Sequence, residues 1–295
     1  MEYFTTTSNA ARRAADCVIV GVYERGKLSA GATDIDGASK GHLTGLVKSG
    51  DISATPGRCA VLTAVPGVRA KRVAVVGLGK ISKINSKVYR QAIMAAITAL
   101  NGSKTSKILN TLTLEAVKDS SPYYLARHAV EAVGDTLYRF DAMKSGRKKK
   151  PMPLTSFGQS IARRGDAAKV MRGSSHGDGI ANGVRLAKDL GNLPANVCTP
   201  SYLARTARKL AKGNGKLTTT VLNEAEMKKL GMGSLLSDTA GPVEPAKLIV
   251  MKYRGADSDK PVVLVGKGVT FDTGGISLKP GPAMDEMKFD MCGAA

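Results

Sequence analysis

The chain has 295 residues, of which 43% are hydrophobic and 4% aromatic. That length and apolar fraction suffice for one large domain or two ordinary ones, and they exclude global disorder. No apolar run approaches the roughly 20 residues of a membrane-spanning helix, and none near the N-terminus is long enough for a signal-peptide core. We therefore expect a cytoplasmic protein without membrane contact. Four dispersed cysteines without a CxxC pair agree with a reducing compartment.

The net charge is +20, from 44 basic and 24 acidic residues. Between Ile52 and Leu114 there are ten Lys or Arg residues and no acid. Such a field favours polyanions, so duplex DNA is a possible partner. There is no tryptophan, and the aromatic residues do not interleave with the basic ones, which argues against a platform for single strands. A solvated basic surface is the more ordinary interpretation.

Strands and helices alternate along the first half of the chain. Strands are predicted at residues 17–22, 60–65 and 72–76, and helices at 85–100 and 122–133, the latter with Ser121 as N-cap before Pro122. A polybasic stretch at 144–153 reads as an exposed loop. This alternation predicts an α/β layer structure.

The second half repeats the pattern after a predicted boundary near residue 170. We expect a linking helix at 177–190 and then a helix capped by Thr199, with Leu203, Ala207 and Leu210 on one face. A further helix should run from the Asn223/Glu226 capping box to Gly231. Strands are expected at 247–251 and 262–265. The fold class is therefore α/β, with two α/β domains at 1–170 and 171–295.

A glycine pair after a strand and three histidines give only weak functional signals. Gly77-Leu78-Gly79 follows a strand, but Ser82 stands where a dinucleotide loop has its third glycine, so a tight strand-to-helix turn is expected and no bound cofactor. The three histidines are scattered without an HExxH motif, so neither a zincin site nor a serine triad can be assembled.

The last thirty residues carry the chemistry. Behind the strand at 262–265, a glycine-rich loop holds Lys267, Asp272 and Lys279, and Asp290 follows. Open α/β sheets place their sites at the carboxyl ends of strands. Carboxylates suit divalent ions, and an unprotonated lysine amine can serve as a nitrogen ligand. From composition alone, a plain Gly/Asp loop with surface lysines remains the alternative.

The stretch from Gly266 to Pro280 resembles the signature of the leucyl aminopeptidases, the M17 family of dinuclear metallopeptidases. Further similarity lies at residues 186–196 running into Thr199-Pro200, and at 231–233, so it is dense in the second half and loose in the first. The resemblance implies a macro-like N-terminal α/β domain and the first part of a catalytic domain with a mixed sheet flanked by helices. It also implies two divalent metal ions, Zn²⁺ or Mn²⁺, for each intact subunit.

The same resemblance implies roles for single residues. Lys267 and Asp290 would be ligands of one metal, and Asp272 would bridge both. Lys279 would be the catalytic cation at the substrate carbonyl oxygen, and Met287 would line the pocket for the first side chain. The intact protein is then expected to release N-terminal residues, leucine preferentially, from peptide substrates and to form a homohexamer.

The family supplies further ligands from a later Asn-Thr-Asp-Ala-Glu-Gly-Arg motif, which does not occur before Ala295. The sequence therefore looks like a fragment, and we expect this fragment to be inactive alone. A different kind of function stays open beside the peptidase, namely a DNA-binding accessory or regulatory protein acting through the basic N-terminal domain.

Overall fold

A computed structural model describes residues 1–146, 152–257 and 260–295. The chain forms two compact units, one of Met1–Arg139 with Gly146–Arg185, the other of Phe140–Ser145 with Leu186–Ala295. The domain boundary near residue 170 remains a prediction. Half of the polybasic loop predicted at 144–153 lies outside the described residues.

Unit 1 contains six strands and four complete helices among the residues that the structure describes, together with most of a fifth helix. The strands are β1 Glu2–Thr6, β2 Cys17–Tyr23, β3 Cys59–Thr63, β4 Arg72–Gly79, β5 Lys107–Asn110 and β6 Ser156–Ser160. The helices are α1 Ala30–Ala38, α2 His42–Lys48, α3 Ser86–Leu100, α4 Pro122–Leu137 and α5 Ala167–Asn192, which continues into unit 2.

The six strands form one sheet in the order β1-β6-β5-β2-β4-β3, parallel except for the antiparallel edge strand β3. Every residue of β2 is buried, because both faces of the sheet are covered. Cys17 and Ile19 share a core with α3 and α4, whereas Val18 and Val20 share one with α1 and α2. The α/β class is thus confirmed, with a predominantly parallel sheet between two helical layers.

The expected turn at Gly77-Leu78-Gly79 is wrong, because both glycines belong to β4. Their N–H groups donate to the carbonyl oxygens of Arg58 and Ala54, 3.0 and 2.8 Å away, so another segment lies directly against them. A side chain at Gly77 would collide with the backbone of Thr55. The glycines therefore allow close backbone packing.

Unit 2 contains the end of α5 and a small α/β arrangement. Its elements are α6 Pro200–Ala211, β7 Leu217–Leu222, α7 Glu224–Lys229, α8 Gly233–Asp238, β8 Leu248–Tyr253 and a 3-10 helix at Met284–Met291. In place of the predicted mixed sheet, the described residues of this unit form a two-stranded antiparallel sheet of β7 and β8.

The strand predicted at residues 262–265 is also wrong. Val262 is 88% exposed and Val265 is 94% exposed, and the segment is irregular. A strand needs a neighbour for its backbone N–H and C=O groups, and within the described residues nothing pairs with this one. Apolar composition alone does not make a strand.

Helix ends agree better with the sequence. The side chain of Thr199 accepts from Tyr202 N, and Asn223 and Glu226 form both bonds of the predicted capping box. Three details differ. Ser121 occupies the N-cap of α4, but its side chain makes no capping hydrogen bond. Helix α5 begins at Ala167 rather than at residue 177. Leu210 is 46% exposed, whereas Leu203 is buried. Among the described helices, none is both long and apolar enough to cross a membrane.

Candidate metal and catalytic site

Lys279 and Asp272 form an ion pair at the glycine-rich loop. Nζ of Lys279 lies 2.6 Å from Oδ2 of Asp272, and the two side chains are 33% and 28% exposed. The pairing lowers the pKa of the Asp272 carboxyl, first through the Lys279 hydrogen bond and next through the backbone N–H of Gly274. Asp272 is therefore a carboxylate, and an adjacent cation already stabilises its charge.

The double glycine behind Asp272 fixes the direction of that carboxylate. The N–H of Gly274 donates to Oδ1 of Asp272 at 2.9 Å, and both Gly274 and Gly275 have positive φ, of +90° and +69°. A Cβ on Gly274 would lie 3.0 Å from the backbone nitrogen of Lys279. The loop can fold back onto itself because glycine adopts this conformation without steric cost.

Lys267 and Asp290 form a second ion pair, with Nζ of Lys267 2.9 Å from Oδ2 of Asp290. The partners meet because two glycine segments approach each other. A Cβ on Gly293 would lie 3.2 Å from the backbone nitrogen of Lys267, and one on Gly266 would collide with the carbonyl of Gly293. Small residues on both sides thus bring Asp290 to Lys267.

Asp290 is also held by the residue after it. Met291 is fully buried in a cluster with Leu190, Leu193, Cys198 and Leu203, which joins the 3-10 helix to α5 and α6. Gly191 keeps that packing close, because a Cβ there would meet the Cys292 sulfur at 2.9 Å. The carboxylate of Asp290 therefore projects from a segment that the buried Met291 side chain anchors.

The two ion pairs form one electrostatic cluster. The Asp290 carboxylate raises the pKa of Lys267, and Asp272 and Asp238 add to the effect. In return, the charge of Lys267 contributes to the lowered pKa of Asp272. The Lys267–Asp290 and Lys279–Asp272 pairs thus influence each other through their charges, and the ligand and catalytic roles assigned to these four residues remain predictions.

The donor set fits a divalent cation. Oδ2 of Asp290 is buried and accepts no hydrogen bond of acceptable geometry, although Lys267 is within ion-pair distance. Two carboxylates and one amine are oxygen and nitrogen donors that zinc and manganese accept. Within the described parts of the chain, no three His, Cys, Asp or Glu side chains converge, and Lys267 is the nitrogen donor that lies beside Asp290.

Met287 lies beside the catalytic candidate. Its sulfur is 3.2 Å from Nζ of Lys279, and the side chain is half-buried. Sequence reasoning missed the residues that shape the site, namely Gly274, Gly293 and the buried Met291. The glycine density around Lys267 was the available signal, but it does not reveal which glycines meet.

Two family models match the chain. The N-terminal domain of the cytosol aminopeptidase family matches residues 19–147, and the catalytic domain of the same family, Peptidase M17, matches residues 185–295. All four charged residues of the site lie within the catalytic-domain match. The polar cluster and the family assignment therefore fall on the same part of the chain.

Curated relatives extend this match. A probable cytosol aminopeptidase of Methylobacillus flagellatus is 46% identical over 296 residues, covering 100% of this chain and 60% of the relative. Another from Paraburkholderia phytofirmans is 47% identical, covering 95% and 55%. The chain thus spans little more than half the length of these relatives.

Solved structures agree. The bottromycin maturation enzyme BotP in complex with Mn is 29% identical with a TM-score of 0.73, covering 95% of this chain and 54% of its own. A mutant of tomato leucine aminopeptidase is 24% identical with a TM-score of 0.81 and shares the fold. That match covers 100% of this chain and 57% of the aminopeptidase chain. With both of its domain models matched in order along the sequence, the chain belongs to the cytosol aminopeptidase family, M17.

Proposed function

We propose that this chain is part of a cytoplasmic, metal-dependent aminopeptidase that releases N-terminal residues from peptides, with leucine preferred. The observation that carries the proposal is the cluster of Lys267, Asp272, Lys279 and Asp290 inside the segment that matches the catalytic domain. The Mn complex of BotP, a protein of similar fold and 29% identity, supports a divalent ion as cofactor.

Lys267 and Asp290 would hold one divalent ion, and Asp272 would be shared between that ion and a second one. Zinc or manganese held there would supply Lewis acidity and activate water near neutral pH. Lys267 would have to give up its proton before its nitrogen could bind a cation. In the structure, its ammonium neutralises Asp290, much as a metal would.

Lys279 would act on the substrate. Its ammonium group is held beside Asp272 and can donate to the carbonyl oxygen of the scissile bond, where negative charge develops during hydrolysis. A fixed cation at that point stabilises the transition state more than the substrate, which is the condition for raising kcat.

Met287 would line the pocket for the first side chain of the peptide. The proposal rests on its half-buried position 3.2 Å from Nζ of Lys279, because a thioether at that distance presents an apolar, adaptable surface next to the reacting carbonyl. An unbranched sulfur-containing side chain suits leucine-like residues. The family resemblance further suggests a homohexamer for the complete protein.

Hydrolysis of leucine p-nitroanilide by the protein that carries this chain tests the proposal. Turnover should be lost on exhaustive chelation and restored by Zn²⁺ or Mn²⁺. Met287→Ala should raise KM for leucine p-nitroanilide more than KM for alanine p-nitroanilide. The metal content of the variant should be unchanged. Metal-independent turnover, or no turnover with any metal, contradicts the proposal.

Duplex DNA is the second candidate, favoured by the position of exposed basic residues. Arg58 precedes β3, Lys80 follows β4, and Lys83 and Lys87 lie at or near the start of α3; all four are exposed. Because β3 runs antiparallel to β4, these segments meet at one end of the sheet. Two other basic residues of the acid-free stretch are paired with acids, Lys71 with Asp16 and Arg90 with Glu131 and Asp135.

Binding of a short duplex at several salt concentrations tests this candidate. Affinity should fall steeply with salt, as counterion release requires. Reversing Lys80, Lys83 and Lys87 to Glu should weaken it, whereas Lys71→Glu should have a smaller effect because that lysine is already paired. If the duplex does not bind at about 50 mM salt, or if all reversals have equal effects, the basic residues form a solvated surface and not a DNA site.

A further inference from the structure

A recess of about 610 Å³ opens in unit 1 beside the loop that follows β1. Three arginines line the recess, namely Arg12, Arg13 and Arg69. The rest of the lining consists of Ser8, Asn9 and Ala14. The lining contains no acidic side chain. Two of the arginines precede the acid-free basic stretch, so the recess is not simply a part of it.

Backbone contacts join the segments that carry the three arginines. Arg69 N donates to Ala11 O at 2.9 Å, which joins the two segments that carry the positive charges. Arg12 N donates to Asn9 O at 3.2 Å, and the guanidinium of Arg13 lies 5.0 Å from the centre of the Phe4 ring. The fold thus brings the three arginines to one recess, where Arg12 and Arg69 are exposed and Arg13 is half-buried.

The three arginines lack an acidic ion-pair partner in the part of the chain that the structure describes. Among the described residues, no ion pair joins Arg12, Arg13 or Arg69 to an acid. The nearby carboxylate of Asp34 is engaged by Ala10 N at 2.9 Å, and Asp16 is engaged by Lys71 at 2.7 Å. Three positive charges that line one recess, with no acid in the lining, favour an anionic occupant.

We propose that the recess binds the phosphate group of a small phosphate monoester, such as a nucleoside monophosphate. Guanidinium groups present planar forks of N–H donors that match phosphate oxygens, and Ser8 offers a hydroxyl. A monoester carries close to two negative charges and three free oxygens, whereas a nucleic-acid diester carries one charge and two free oxygens. The volume lies within the range of small-molecule sites and leaves space for the rest of the ligand.

Calorimetric titration of the 295-residue chain with AMP tests the proposal, with adenosine and a short DNA duplex as the other ligands. AMP should bind at one site per chain, and adenosine should not bind. Arg69→Gln and Arg12→Gln should each weaken AMP about tenfold, the loss expected for one charge-assisted contact. Arg172→Gln is the matched control, because it removes the same charge from an exposed position on α5.

The outcomes separate the sources of binding. Unchanged affinity in Arg172→Gln, with unchanged melting temperatures in all variants, supports a built phosphate site. Equal weakening by all three substitutions would mean that the general positive field binds AMP, and the proposal fails. It fails also if AMP does not bind, or if the duplex binds through Arg12 and Arg69 while AMP does not.

Discussion

Lys279 donates a 2.6 Å hydrogen bond to Asp272, so the proposed catalytic cation is in contact with the proposed bridging ligand. The two residues have different roles in the proposal, although the structure joins them as a pair. Removing the carboxylate takes away a metal ligand, whereas removing the ammonium takes away the charge that acts on the substrate and leaves the Asp272 carboxylate in place. Substitution of each residue therefore has a distinct expected result.

In the complete protein, Asp272→Ala should abolish peptidase activity and lower the bound metal. Lys279→Ala should retain the metal and reduce kcat by about 10²–10³, the usual loss for one donor to a developing oxyanion. Metal analysis and steady-state kinetics on leucine p-nitroanilide measure both. Wild-type turnover in Asp272→Ala, or loss of metal in Lys279→Ala, contradicts the assignment.

Gly274→Ala should reduce activity strongly, because its φ of +90° and its 3.0 Å approach to Lys279 N leave no space for a methyl group. The loop would have to move, and the direction of the Asp272 carboxylate would change with it. Gly281→Ala is the control, since a Cβ there meets nothing within 4 Å. Equal activity in the two variants would show that the double glycine does not position the site.

Met291→Ala should destabilise the protein by about 2–5 kcal/mol, since a fully buried side chain is removed and a cavity remains. The same substitution should weaken metal binding, because Met291 anchors the segment that carries Asp290. Met251→Ala, at a position 43% exposed on β8, should cost far less. Urea unfolding with metal titration measures both effects, and equal costs for the two would be evidence against the anchor.

The sequence revealed most of the fold because its signals are local. The apolar run of β2 predicts a buried strand, and Thr199 and Asn223 cap their helices through atoms only a few residues away. The apolar run at 262–265 predicts a strand, but none forms there, because a strand also needs a neighbouring strand for its backbone hydrogen bonds. Likewise, Gly77 packs against residues about twenty positions earlier, a contact that the sequence does not display.

For the candidate site, local chemistry indicated carboxylates and lysines, whereas their roles came from resemblance to a family. The pairing of Lys267 with Asp290 could not be predicted, because it depends on Gly293 meeting Lys267 and on Met291 entering the core. Such contacts are set by packing between distant segments. Neither periodicity nor motif spacing reports them.

Asp16 should make unit 1 sensitive to acid. Its carboxylate accepts from Lys71 and from Ser106 and Lys107, and its side chain is 12% exposed. The Lys71 hydrogen bond is the largest cause of its strongly lowered pKa. A folded pKa below the unfolded value of about 3.9 stabilises the protein above that pH, and the contribution is lost as the pH falls.

Asp16→Asn should therefore lower the unfolding free energy near neutral pH by about 2 kcal/mol, since charged hydrogen bonds are lost. The difference from wild type should shrink as the pH is lowered through the range below about 4. Asp119→Asn, at an exposed position, should cause little change at either pH. A pH-independent difference would mean that the charge of Asp16 contributes nothing.

The exposed run at residues 262–265 should make the 295-residue chain self-associate, because Val262 and Leu264 are 88% and 91% exposed beside an unpaired backbone. Leu264→Lys should reduce light scattering at equal concentration. Lys260→Leu, which adds an apolar side chain near the same run, should increase it. Equal scattering of wild type and Leu264→Lys would place the association elsewhere.

The pairing of β1 with β6 sets the timing of folding during synthesis. Glu2 lies opposite Ser156 in the parallel register, so β1 has to wait for a partner strand that is made 154 residues later. At about 5–20 residues per second, the wait is roughly 8–30 s. Throughout that time β1 lacks its partner strand and is available to chaperones and to other nascent chains.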